Sequence, residues 1–266
     1  MGKGHRLVER RQAILAVLED TGQLSVADLC IRFAVSEVTI RTDLRALNQQ
    51  GLLQRTRGGT LAIHTLPELS FGVRQQQYAH IKGLIGAAAA RLVAPGDTIA
   101  IDASTSALAM IPCLRRLSEL TVITNGLKVA MALLNAADTH VIMPGGSLRR
   151  ESISLVGNQQ IEFMSDYHIR IAFFGARGLT IEQGLTEVSL DEVHSKRAIA
   201  ARAQRIVALV DSRKWGQVAT STFADLKQLD TIVTDSNAPA GMVERIRALG
   251  VRVIVVAAKG NEDKIE

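Results

Sequence analysis

The chain has 266 residues, 47% of them apolar, and a formal net charge of +5. That length exceeds what one small core needs and leaves room for two, while two cysteines, Cys30 and Cys113, without a Cys-x-x-Cys or histidine-rich setting argue against a disulfide framework and a zinc site. No apolar run reaches about 18 residues and no apolar core follows the first five, so a membrane span and an export signal are both disfavoured and a cytoplasmic protein is expected.

Positive charge is concentrated early. Residues 1–60 hold nine lysines and arginines against six acids, a net +3; the other 206 hold 22 against 20, a net +2. Within that basic stretch Ser25-Val26-Ala27-Asp28 has the spacing of a helix start, with a serine hydroxyl and an acid three residues on satisfying orphan backbone N–H groups. Leu29 and Phe33 continue an apolar face. After a short turn at Ala34-Val35, the run from Ser36 to Leu47 repeats the pattern, with Ile40, Leu44 and Leu47 facing inward. The opposite face carries Glu37, Thr39, Arg41, Thr42 and Arg45, side chains that reach phosphates and base edges when a helix lies in a major groove. Beyond Gly51, two short extended runs flank Arg55, Arg57, Gly58 and Gly59, which suits a basic wing on the DNA backbone. The candidate DNA-binding residues are therefore Ser25, Ser36, Glu37, Thr39, Arg41, Thr42, Arg45, Arg55, Arg57, Gly58 and Gly59.

The run Val35-Ser36-Glu37-Val38-Thr39-Ile40-Arg41-Thr42-Asp43-Leu44, with Gly51-Leu52-Leu53-Gln54-Arg55 and Gly58-Gly59 after it, resembles the DeoR family of bacterial sugar-metabolism repressors. Two positions depart from that family, which usually has a second arginine at Thr42 and a histidine at Arg57. The departures bear on which operator is read.

From 63 to 80 the helical period breaks at Pro67 and again at Gln75-Gln76-Gln77, so a linker is expected there, between a winged helix-turn-helix at 1–62 and a second domain at 81–266. A helix over 82–92 and the turn Ala94-Pro95-Gly96-Asp97 lead into short β-branched runs at 98–101, 121–124, 140–143, 169–174, 206–210, 231–234 and 252–256, several of them apolar on both faces. Such runs, alternating with helices, predict an α/β domain with a covered parallel sheet, whose ligands bind beyond the carboxyl ends of the strands.

Those ends are polar. Asp102-Ala103-Ser104-Thr105-Ser106, Thr124-Asn125-Gly126 and Pro144-Gly145-Gly146 follow the first three strands; Gly175-Ala176-Arg177-Gly178 and Asp211-Ser212-Arg213-Lys214 follow later ones. Hydroxyls and free N–H groups at helix starts, with glycines that admit close approach, suit a phosphate. Each cluster alone also reads as an ordinary helix cap.

In this order the clusters resemble the effector domain of the same repressors, related in fold to ribose-phosphate isomerase and glucosamine-phosphate deaminase. That resemblance implies a sugar-phosphate site at Asp102, Ser104, Thr105, Ser106, Asn125, Gly145, Gly146, Gly175, Gly178, Glu192, Lys196 and Lys214, with Arg149 and Arg177 beside it. Arg149-Arg150 reads equally as a solvated charge run. The family commonly has glycine where Ser104 stands.

The function so implied is a non-enzymatic transcriptional repressor of a carbohydrate catabolic operon, a homodimer or homotetramer on double-stranded operator DNA, released by a sugar-phosphate effector. No cofactor, metal or membrane partner is expected. An isomerase- or deaminase-like enzyme with a DNA-binding domain, using Asp191, Glu192 and Lys196, and an α/β domain used only for assembly are the alternatives.

Overall fold

The computed structural model describes residues 10–11, 13–15, 17, 23–49, 60–62 and 71–258. The chain divides into two compact units, Met1–Gln77 and Tyr78–Glu266.

In the first unit, β1 (Gln23–Ser25) leads into α1 (Val26–Phe33), and α2 (Glu37–Gln49) follows a turn whose Ala34 closes α1 at φ 50°. The expected capping box is present: Ser25 Oγ accepts from Asp28 N at 3.1 Å while Ser25 N donates to Asp28 Oδ2 at 3.0 Å. Leu29, Ile40, Leu44 and Leu47 are buried with Ile14, Leu15 and Val26, so the helical period of the sequence becomes the core of the unit. β2 (Thr60–Ala62) pairs antiparallel with β1, bringing Ala62 opposite Gln23.

Asp43 lies on α2 yet is fully buried, and holds two guanidiniums, Arg10 Nε at 2.6 Å and Arg11 Nε at 2.8 Å. A buried carboxylate needs such partners, and this one anchors residues 10–11 to α2. Residues 71–76, inside the stretch expected to be a linker, form α3 (Phe71–Gln76). Phe71 is buried and Val73 packs on the core of the first unit; the apolar contact outweighs the unpromising glutamines.

The second unit is built on seven parallel strands: β3 (Thr98–Ile101), β4 (Leu120–Ile123), β5 (Thr139–Ile142), β8 (Ile169–Gly175), β11 (Ala203–Leu209), β13 (Thr231–Asp235) and β14 (Arg252–Val256). Their order across the sheet is β14-β13-β11-β8-β3-β4-β5. All seven are the runs expected from the sequence.

Side chains alternate between two cores. Ala100, Ile123, Ala172, Phe174 and Ala208 enter one, with Val193, Ile199, Val243 and Ile246; Ile99, Ile101, Val122, Phe173 and Leu209 enter the other, with Ile85, Ala89, Val129 and Leu133. The helices α4 (Ala79–Ala90) and α7 (Leu127–Leu133) thus cover one face, and α9 (Leu190–Ala200) and α10 (Ala240–Ala248) the other, with α5 (Thr105–Leu108), α6 (Ile111–Leu114) and α8 (Gln159–Met164) between strands. Both faces being covered is why several of the strands read as continuous apolar runs.

Two antiparallel additions stand where no strands were expected: a hairpin of β6 (Ser147–Arg149) and β7 (Ser154–Val156), and a sheet of β9 (Gly178–Thr180), β10 (Gly184–Glu187) and β12 (Ser221–Ala224).

Candidate functional site

From β3 the chain steps outward to β4 and β5, then returns to the other side of β3 as β8 and proceeds outward to β14. The strand order therefore reverses between β3 and β8, where connections leave in opposite directions, the place beyond the carboxyl ends at which sheets of this kind bind ligands. Asp102, directly after β3, bridges that point: its Oδ2 accepts from Gly175 N at the end of β8 at 3.0 Å, and its Oδ1 from Ser104 N at 2.9 Å. Gly175 has no room for a side chain, because a Cβ there would lie 2.5 Å from Ser104 Cβ.

Lys196, on α9, is buried at the same point. Its Nζ donates to Gly175 O at 2.8 Å and Glu187 Oε2 at 2.7 Å, and lies 3.2 Å from Asp102 Oδ2, with the Phe223 ring centroid 4.6 Å away. Burial by itself lowers the affinity of this amine for its proton; Glu187, Asp102 and Glu192 more than reverse that and hold Lys196 above the ordinary lysine value. Burial likewise pushes Glu187 up, but the charges of Lys196 and of Arg177, whose Nε lies 3.4 Å away, bring it from 4.5 down to about 2. Lys196 thus favours its charged form, with two hydrogen bonds to Gly175 and Glu187 and an ion pair to Asp102. Its contacts tie Asp102 after β3, Gly175 at the end of β8 and α9 together.

Glu192, also on α9, accepts at one oxygen from the hydroxyls of Ser152 at 2.6 Å and Ser154, both on the β6–β7 hairpin. Arg149 Nη1 donates to Ser152 Oγ at 3.1 Å, which ties this arginine into the site, whereas Arg150 is exposed. Asn125, after β4, is buried; its Nδ2 donates to Leu155 O at 3.2 Å, and Gln160 Nε2 donates to the same carbonyl at 2.8 Å and to Gly145 O at 3.0 Å. Asn125 Oδ1 and Gln160 Oε1 are buried acceptors with no hydrogen-bond partner.

The structure therefore gathers Asp102, Gly175, Arg177, Glu192, Lys196 and Arg149 around one network, and links Asn125 to Gly145 through Leu155 and Gln160. Ser104 caps α5, accepting from Ala107 N at 3.1 Å, with Thr105 and Ser106 buried in that helix. Gly145 and Gly146 both take positive φ. Gly178 is required by packing, since a Cβ would meet Gln217 O at 2.1 Å. Lys214 stands apart, on the turn after β11; burial pushes Asp211 up there, but the hydrogen bond and charge of Arg213, with the charge of Lys214 adding less, keep it below the usual carboxylate range. Sequence reasoning missed Glu187, Ser152, Ser154 and Gln160. Among the described residues no group of histidine, cysteine, aspartate and glutamate has the arrangement of a metal site, and no helix is long and apolar enough to cross a membrane.

On α2 the expected DNA face is exposed, apart from the half-buried Thr39, but partly self-engaged. Ser36 Oγ accepts from Thr39 N at 3.3 Å and lies 2.9 Å from Thr39 Oγ1; Glu37 accepts from Arg41 Nε at 2.9 Å; Thr42 Oγ1 donates to Val38 O at 2.8 Å. Arg45 is exposed farther along. Ser25 acts as a cap. Arg55, Arg57, Gly58 and Gly59 lie outside the described residues.

A family model for the DeoR C terminal sensor domain matches residues 77–236, and one for the DeoR-like helix-turn-helix domain matches residues 10–65. The chain is 32% identical to the HTH-type transcriptional regulator GolR of Listeria innocua, over 92% of this chain and 97% of that protein. It is 30% identical to the HTH-type transcriptional repressor GlcR of Bacillus subtilis, over 96% and 98%, and 28% identical to the glycerol-3-phosphate regulon repressor of Escherichia coli K12, over 89% and 94%.

Proposed function

The chain belongs to the DeoR family of transcriptional regulators, and from that premise we propose that it represses a carbohydrate catabolic operon as a homodimer or homotetramer that a sugar phosphate releases from operator DNA. In this reading α2 lies in the major groove with Arg41 and Arg45 at its outer face, and the cytoplasm is its place of work. The effector enters beyond the carboxyl ends of β3 and β8. Supporting it most directly is Asn125 Oδ1, a buried acceptor beside the strand reversal that has no hydrogen-bond partner. A buried polar atom left unpaired is costly, and a polyhydroxylated ligand supplies the donor it lacks.

The same network argues for sensing over turnover. Lys196 and Asp102 spend their hydrogen bonds on Gly175, Ser104 and Glu187, so neither is poised to exchange a proton with a substrate. These contacts support a ligand-gated DNA-binding protein over an isomerase or deaminase.

The test is thermal unfolding of the full chain against a panel of aldose, ketose and polyol phosphates with their unphosphorylated counterparts. A ligand at 100 times its Kd adds about 2.7 kcal/mol to the stability of the unit that binds it. A phosphate-dependent rise in melting temperature, weakened by Asn125→Ala and accompanied by no product, is expected. Product formation would establish an enzyme, and no shift with any phosphate would leave the α/β unit an assembly module.

A further inference from the structure

Helix α2 presents two parallel rows of side chains to solvent, each with the i,i+4 spacing that stacks neighbours on one helical face. One row is ionic: Glu37, Arg41 and Arg45, of which the first two are paired. The other is Val38 and Thr42. Val38 is 74% exposed, in the first turn of the helix, where a groove-reading helix points its side chains at base edges. Thr42 is exposed as well, but its hydroxyl donates back to Val38 O at 2.8 Å. With that proton committed to the helix backbone, Thr42 has no donor left to offer, and its methyl is the apolar group it can bring to a contact. Two β-branched side chains therefore make a small apolar strip on a face otherwise set by arginines.

Such a strip has no free donor to offer a base edge or a phosphate. The one apolar group that a major groove displays is the C5 methyl of thymine. We propose that Val38 and the methyl of Thr42 read thymine methyls in the operator, so that this chain recognises a T-containing step where an arginine at Thr42 would favour guanine. The proposal rests on α2 being the recognition helix. It changes the role first expected of Thr42, from hydroxyl donor to methyl surface, and adds Val38, which an inspection for polar residues passes over.

The experiment uses the full chain and a duplex selected by it from a random-sequence pool. Each thymine of the selected site is replaced in turn by deoxyuridine, which pairs identically and lacks only the methyl, and Kd is measured by fluorescence anisotropy for wild type, Val38→Ala and Val38→Thr. At one or two positions per half-site, uracil should weaken wild type about fourfold, the change that corresponds to about 0.8 kcal/mol for one buried methyl-sized group. Val38→Ala should lose affinity for the thymine duplex and be indifferent to uracil at one of those positions, while Val38→Thr keeps sensitivity there. Equal uracil penalties in wild type and Val38→Ala, or no sensitive position at all, would overturn the proposal while leaving DNA binding intact. Failure to select any sequence would instead bring down the DNA-binding reading beneath it. Because Val38 is exposed, its replacement leaves the core of the unit unchanged, which superposable unfolding curves verify.

Discussion

Glu187 and Lys196 set the chemistry of the switch point, and both are nearly hidden from solvent. Glu187 has the lower proton affinity in the folded protein, about 2 against 4.5, so its contribution to stability is complete above pH 4.5 and fades as the pH falls toward 2. By linkage that contribution is about 3 kcal/mol. Urea unfolding of the α/β unit should therefore show an acid-side loss of stability through that window, and Glu187→Gln should flatten it while lowering stability at neutral pH. An unchanged acid slope in the variant would show that Glu187 does not carry the linkage. Residues of this kind are the hardest to find in a sequence. Lys196 and Glu192 show in the sequence as charges downstream of a strand end, and family resemblance is what places them at the site, whereas Glu187 sat at the end of a short Gly-Leu-Thr run with no pattern to mark it. Asp43 was equally silent: a carboxylate beside Leu44 and three residues from Ile40 has no local sign of a partner, and nothing nearby says that Arg10 and Arg11 close over it.

At the scale of elements the sequence was far more legible. All seven parallel strands stand where short β-branched runs were read, because burial on both faces leaves a signature independent of register. The helix-turn-helix was equally plain, since cap, turn and apolar period agree. The hairpin β6–β7 and the sheet β9-β10-β12 were not. Their strands are three or four residues long, and their pairing depends on contacts distant in sequence, such as Leu185 against Ala224, so alternation has too few residues to register. α3 was hidden for a related reason, its stability coming from Phe71 and Val73 and not from its own composition. The cap of α1 gives the sharpest check at this scale. Ser25→Ala removes the acceptor for Asp28 N and should cost the first unit about 1 kcal/mol in urea unfolding, with the α/β unit unaffected. No loss would mean that Asp28 alone suffices to start the helix.

For the whole molecule, the account requires one equilibrium to be shared by two activities. A sugar phosphate weakens operator binding only by the difference in its affinity for the DNA-bound and released conformations, so a 10- to 100-fold switch needs a coupling of about 1.4 to 2.7 kcal/mol. That is within reach of one or two polar contacts, on the scale of the acceptors that Asn125 and Gln160 leave unpaired. Reciprocity follows: operator DNA must weaken effector binding by the same factor.

The measurement that bears most directly on this is operator affinity of the full chain, by fluorescence anisotropy, with and without each member of the sugar-phosphate panel. The account predicts that one phosphate, and not its parent sugar, raises the Kd for operator about 10- to 100-fold, and that Asn125→Ala keeps ligand-free DNA affinity while losing the response. Operator affinity that stays constant across every phosphate that raises the melting temperature would contradict it, because the ligand would then occupy the α/β unit without any hold on DNA.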